Sequence, residues 1–208
     1  PTWSTHVHLS LDAHRGRGHL AARGYAVLSP NYRGSLGYGD EFLEELIGRE
    51  NDVDVGDILA GVDHLVAEGV ADPDRLGVMG WSNGGYLTNC LISTTDRFKA
   101  ASSGAGVFDQ TMQWALEDTP GHVINYMEGL PWEQPEEVQA ASPLFAAHRI
   151  TTPTLIHVGE DDPRVPVGHA RALHRALDFY LGVDSELLVY PDTGHGLSRW
   201  SHLSLIHI

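Results

Sequence analysis

The stretch Arg75-Leu76-Gly77-Val78-Met79-Gly80-Trp81-Ser82-Asn83-Gly84-Gly85-Tyr86-Leu87-Thr88 decides how this chain folds. Residues 75–80 are a short apolar run of strand length. From Tyr86 to Ile92 the pattern reads as a helix start. Between them lies Gly80-x-Ser82-x-Gly84. Strand, sharp turn, helix is the setting that a nucleophilic serine requires. Such a turn forces the serine into a strained backbone conformation. Glycines two before and two after it let strand and helix approach closely. The strain exposes the hydroxyl and aims the helix N-terminus at charge that develops beside it.

A serine hydroxyl needs a base, and the base needs an orienting acid. In this arrangement they follow later in the chain, acid first and histidine second. Residues 154–159 read as a strand, and residues 160–166 form the loop at its end. Residues 186–190 read as another strand, followed by Pro191-Asp192-Thr193-Gly194-His195-Gly196. In open parallel sheets, working groups sit on loops beyond the carboxyl ends of strands. Ser82, an acid among Glu160, Asp161 and Asp162, and His195 all satisfy that rule. Histidine suits the role of base because imidazole exchanges protons near neutral pH. The backbone N–H of Asn83, next after the serine, is placed to stabilise an oxyanion.

The rest of the chain alternates. Residues 12–23 predict a helix stopped by Gly24, and residues 25–29 a short strand. Residues 30–39 are a glycine-rich loop and 40–47 a short helix. Residues 54–68 predict a longer helix, with Val55, Ile58, Leu59, Val62, Leu65 and Val66 on one face. Residues 99–103 predict a buried strand and 167–181 a helix. Residues 107–142 read as long and irregular, rich in Pro, Trp and Gly. The pattern is α/β with a mainly parallel sheet.

Several blocks recur together in one order. They include Arg23-Gly24-Tyr25, Asn31-Tyr32-Arg33-Gly34-Ser35, Asp72-Pro73-Asp74-Arg75, the Gly80–Tyr86 stretch and Pro131-Trp132-Glu133. They end with Gly159-Glu160-x-Asp162-x-Arg164-Val165-Pro166 and Gly194-His195-Gly196. In these the chain resembles the catalytic domain of the prolyl oligopeptidase family, near its dipeptidyl-peptidase and acylaminoacyl-peptidase-like members. The resemblance covers nearly the whole chain. It implies an α/β-hydrolase fold, a mostly parallel sheet flanked by helices and incomplete at both termini. It places the acid two residues after Glu160, which selects Asp162. It implies a serine-type peptidase that hydrolyses peptide bonds of short peptides, with peptide as partner and no cofactor. It also implies an N-terminal β-propeller, and a second oxyanion donor from a segment just upstream of Pro1. In that comparison the chain starts within a motif and lacks a final helix. Residues 1–202 are then a partial peptidase domain. Residues 203–208, Leu-Ser-Leu-Ile-His-Ile, are the hexapeptide that CTG TCT CTT ATA CAC ATC would encode, a string that resembles a transposon end used in library preparation. They read as a non-native tail. A chain so truncated is expected to be poorly stable or inactive.

Composition is that of a globular domain: 42% hydrophobic and 20% charged over 208 residues. The 13 Lys and Arg against 28 Asp and Glu give a net charge of −15, which argues against nucleic acid or an anionic membrane as partner. A single cysteine, Cys90, excludes an internal disulfide and fits burial in the helix after the serine. It is compatible with the cytoplasm as location. No stretch is long and apolar enough to span a membrane. Bland readings stand beside the sharp ones. His6-x-His8 has metal-pair spacing, but no matching ligand cluster accompanies it, so no metal is expected. The glycines of 30–39 lack the Walker lysine and dinucleotide spacing. Arg33 and Arg164 read as structural ion-pair partners. Phe108, Trp114 and Trp132 could line an apolar substrate pocket or serve as plain packing. The same triad also serves carboxylesterases, which keeps that activity as the alternative.

Overall fold

The computed structural model describes residues 17–119 and 121–197. Among the described residues four strands make one sheet: β1 (Leu76–Trp81), β2 (Phe98–Gly104), β3 (Thr154–Gly159) and β4 (Ser185–Tyr190). Their spatial order is β1-β2-β3-β4 and every neighbouring pair is parallel. Parallel neighbours need long crossovers, and helices supply them. Helix α4 (Asn83–Thr94) links β1 to β2, as the glycine turn predicts. Helix α8 (Gly168–His174) continues as a π-helical segment, Arg175–Leu181, and returns the chain to β4. It ends at Gly182, whose φ of 63° is the left-handed stop that glycine favours. The core lies between sheet and helices, around Cys90, Leu91, Phe108, Ile156, Leu173 and Leu177.

The register decides where the working loops emerge. Trp81 pairs with Gly104, Gly104 with His157, and Gly159 with Tyr190. The carboxyl ends of the strands therefore share one edge of the sheet. Ser82, the 160–166 loop and the 191–196 loop all leave from that edge.

Ahead of β1 lie α1 (Arg17–Ala22), α2 (Asp40–Glu44) and α3 (Val53–Ala67). Gly24, at φ 88°, closes α1, and Tyr25 N–H donates to the Leu20 carbonyl at 3.1 Å. Val55, Ile58 and Leu59 of α3 face the core as the helical spacing predicts. Arg33 binds Asp57 of α3 and Glu45, at 2.8 and 3.0 Å. Arg164 binds Asp118 at 2.6 Å.

Two expectations change. Residues 25–29 form no strand, since no described strand lies beside them to pair with their backbone. Tyr25 is 64% exposed, and Leu28 instead leans over Gly61 of α3. Apolar content does not make a strand without a partner for its amides. Residues 107–142 are helical, not irregular: α5 (Gln110–Leu116), α6 (Gly121–Met127) and α7 (Pro135–Ala140), followed by a 3-10 segment, Pro143–Arg149. The Asp109 carboxylate caps α5 by accepting from the amides of Thr111 and Met112. Pro135 opens α7 at the first-turn position that proline tolerates. Gly121 likewise stands at the start of α6. Val123, Met127, Val138 and Ala141 give these helices a small core of their own. His6, His8 and the 203–208 tail lie outside the described residues. No described helix is long and apolar enough to cross a membrane.

Candidate active site

Ser82 sits between β1 and α4 with φ 60° and ψ −119°. For a residue with a Cβ this is a strained conformation, worth roughly 1–3 kcal/mol. Helix and sheet both hold it: Tyr86 N–H of α4 donates to the Ser82 carbonyl at 2.9 Å, and Ser82 N–H donates to the Gly104 carbonyl of β2 at 2.9 Å. Glycine at 80 is required, because a Cβ there would collide with the Gly84 backbone. A Cβ at Gly84 would meet nothing. A Cβ at Gly85 would strike the Gly104 carbonyl. The glycine that packs α4 against β2 is thus three residues after the serine, not two.

His195 reaches both partners. Its Nε2 lies 2.8 Å from Ser82 Oγ and its Nδ1 lies 2.8 Å from Asp162 Oδ2. With Asp162 ionised, Nδ1–H donates to the carboxylate and Nε2 is free to accept the serine proton. Asp162 is buried, and its other oxygen, Oδ1, accepts from the amides of Arg164 and Val165, both at 2.9 Å. Asp161 and Glu160 are exposed. Their amides instead bind the carbonyls of Thr193 and Tyr190, which tie the acid loop to the base loop. Among the three adjacent acids, only Asp162 turns its carboxylate inward to His195. Gly159 permits this approach, since a Cβ there would collide with the backbone of Thr193 and Gly194.

Asn83 opens α4, so its amide is among the first of the helix, which have no intrahelical acceptor. Its side chain is held as well: Nδ2 donates to the Tyr32 hydroxyl at 2.8 Å. Tyr32 stands beside Arg33, whose ion pair with Asp57 anchors the loop on α3. Sequence spacing carries no signal for this contact, which joins residues 51 positions apart. Behind the site, the His157 ring packs edge-on to Trp81 at 5.2 Å. Burial lowers His157 to about 4, so it stands there neutral.

The helical segment 110–140 is fastened to the acid loop. Gln113 Nε2 donates to the Arg164 carbonyl at 2.7 Å, and Asp118 N–H to the Pro163 carbonyl at 2.9 Å. Phe108 is fully buried in the main core, and its amide donates to His169 Nδ1. Trp114 and Trp132 meet edge to face at 5.3 Å, and Trp132 is 64% exposed. The structure brings Ser82, Asn83, Asp162 and His195 together. Phe108 is enclosed in the main core, and the two tryptophans pair with each other.

A model of the prolyl oligopeptidase family matches residues 16–204. The chain belongs to that family. This prolyl oligopeptidase-family chain is 37% identical over 194 residues to the acylamino-acid-releasing enzyme of Arabidopsis thaliana, covering 89% of the chain and 25% of that protein. It is 33% identical to dipeptidyl-peptidase 5 of Porphyromonas gingivalis, covering 90% of the chain and 28% of that protein. A solved puromycin-hydrolyzing peptidase of Mycobacterium tuberculosis superposes with a TM-score of 0.80 at 31% identity, over 85% of this chain and 27% of that one. The α/β-hydrolase architecture of the family is the one described above. The chain spans about a quarter of the length of these relatives.

Proposed function

We propose that this chain carries the hydrolytic site of a serine peptidase that cleaves peptide bonds of short peptides through an acyl-enzyme. The observation that supports it most is the unbroken line from Ser82 Oγ to His195 to Asp162, with both hydrogen bonds at 2.8 Å. Ser82 Oγ attacks the scissile carbonyl carbon while its proton passes to His195 Nε2. The carbonyl electron pair moves onto oxygen beside the Asn83 amide. Asp162 holds the imidazole in the productive tautomer and stabilises its charged form. Collapse expels the amine, which takes the proton from His195. Water, losing a proton to the same histidine, then attacks the acyl ester and restores the Ser82 hydroxyl.

The relatives' names favour short units: one releases acylamino acids, another is a dipeptidyl-peptidase. Their greater length leaves room for the propeller that the family resemblance implies, and residues 1–202 are then the peptidase part. The test is labelling by a fluorophosphonate probe, with Ser82→Ala as control, followed by the ratio of amide to ester hydrolysis. Labelling abolished by the substitution, with amide turnover, is expected. Turnover of esters alone would replace peptidase with carboxylesterase. A folded chain that does not label would overturn the hydrolase reading for this chain.

A further inference from the structure

We infer that Trp81 is a positioning residue for the base: its indole N–H holds the backbone of His195 and so ties the loop carrying the base to the strand carrying the nucleophile. This rests on the roles proposed above for Ser82 and His195. Trp81 is the last residue of β1, directly before Ser82. Its Nε1–H donates to the His195 carbonyl at 3.0 Å. An indole N–H only donates and a carbonyl only accepts, so the polarity of this bond is fixed.

The geometry explains why the tether matters. The loop that carries His195 has no regular structure after β4 ends at Tyr190. Asp161 N–H holds this loop at the Thr193 carbonyl. Trp81 holds it two residues further on, at His195 itself. The imidazole is thereby gripped at Nδ1 by Asp162 and its main chain by Trp81, which leaves Nε2 aimed at Ser82. Nucleophile and tether are adjacent residues, so any shift of the serine strand carries the base with it.

The indole is itself held in place. Its ring lies against Gly104, where an added Cβ would overlap it, and against the His157 ring at 5.2 Å. The His195 ring stands 6.2 Å from it, tilted by 52°. A base acts when its nitrogen lies about 2.6–3.2 Å from the oxygen whose proton it takes, and a misplacement of about 1 Å can lower a rate about a hundredfold. The N–H is therefore expected to act on the chemical step and leave binding of the reagent alone.

The test replaces Trp81 by benzothienylalanine, which keeps the bicyclic shape but has sulfur for N–H, and separately by Trp81→Phe. The concentration dependence of fluorophosphonate labelling gives the maximal inactivation rate and the apparent binding constant. Near-UV circular dichroism and a thermal melt report the fold. In the isostere the maximal rate is expected to fall about tenfold or more, with the binding constant within about twofold. Its melt is expected within about 3 °C of the parent. Trp81→Phe is expected to lose at least as much rate. An isostere that labels at the parental rate overturns the inference and makes Trp81 packing alone. An isostere that loses its cooperative melt overturns it too, because the bond then supports the fold and not the base. Failure of the hydrolase reading looks different: the parent does not label, or Ser82→Ala still does.

Discussion

At the scale of single residues, three adjacent acids separate by burial. Asp162 is 4% exposed and accepts three hydrogen bonds, one of them from His195. Asp161 is exposed. Asp162→Asn keeps the shape but removes the charge that fixes the tautomer, so labelling and turnover are expected to fall about a thousandfold or more. Asp161→Asn is expected to stay within about twofold of the parent. Side-by-side rates of the two variants check the assignment, and equal losses would reverse it. The chain order and the strand-end rule already restricted the acid to residues 160–162. The choice within that set came from the family resemblance, and Asp162 is the one whose buried carboxylate meets three donors, as a buried carboxylate requires.

At the scale of elements, the site depends on how closely α4 approaches the sheet. Gly80 makes room for the Gly84 backbone, and Gly85 for the Gly104 carbonyl. Gly80→Ala is expected to destabilise the chain by about 1–3 kcal/mol, as overpacking does, and to abolish fluorophosphonate labelling. Gly84→Ala, whose Cβ meets open space within α4, is expected to keep the fold and to gain up to about 1 kcal/mol, since alanine suits a helix better than glycine. Urea melts of the pair measure the difference. The loop from Asn31 to Gly34 is a second element-level device. Burial alone would raise the Asp57 carboxyl, and the hydrogen bonds from Arg33 outweigh it, so its pKa is lowered. That contribution is present above the ordinary carboxylate range and is lost as pH falls through the lowered value. Asp57→Asn is expected to lower stability by up to about 1 kcal/mol at neutral pH, given that both partners are part-exposed. It is also expected to loosen the Tyr32 contact to Asn83, read as a slower maximal labelling rate.

At the scale of the molecule, buried carboxyls make stability depend on pH. Burial, with the nearby charges of Asp54 and Glu117, raises Glu50 from 4.5 to about 8. Burial raises Asp54 to about 6. Both groups hold their protons more tightly when folded, so they stabilise the fold at low pH. That stabilisation drains away as pH rises from about 4.5 towards 8. Chemical denaturation across this window is expected to show falling stability. Glu50 accepts from Gln110 Nε2 at 3.2 Å, a bond that an amide oxygen can also accept. Glu50→Gln is therefore expected to flatten the slope and to gain at least about 1 kcal/mol at pH 8. An unchanged slope would place the titration elsewhere.

The nucleophile turn, the order of acid and base, and the parallel α/β plan were legible in residues close together in the chain. Their signals are local: apolar runs of strand length, glycines at a tight turn, and loops just past strand ends. The helical nature of 107–142 was hidden, because three helices of six or seven residues carry too few turns to show a period. Their stability comes from a small shared core and from bonds to the acid loop, which are contacts of packing. The reading of 25–29 as strand failed for the converse reason, since a strand needs a neighbour that local pattern does not supply. Phe108 was ambiguous in sequence, because an aromatic in a core and one in a pocket look alike until burial separates them. The indole of Trp81 on His195 and the Tyr32 hydroxyl on Asn83 join residues 114 and 51 positions apart. Local chemistry names the candidate groups, and the crossing of the chain over itself sets the distances between them.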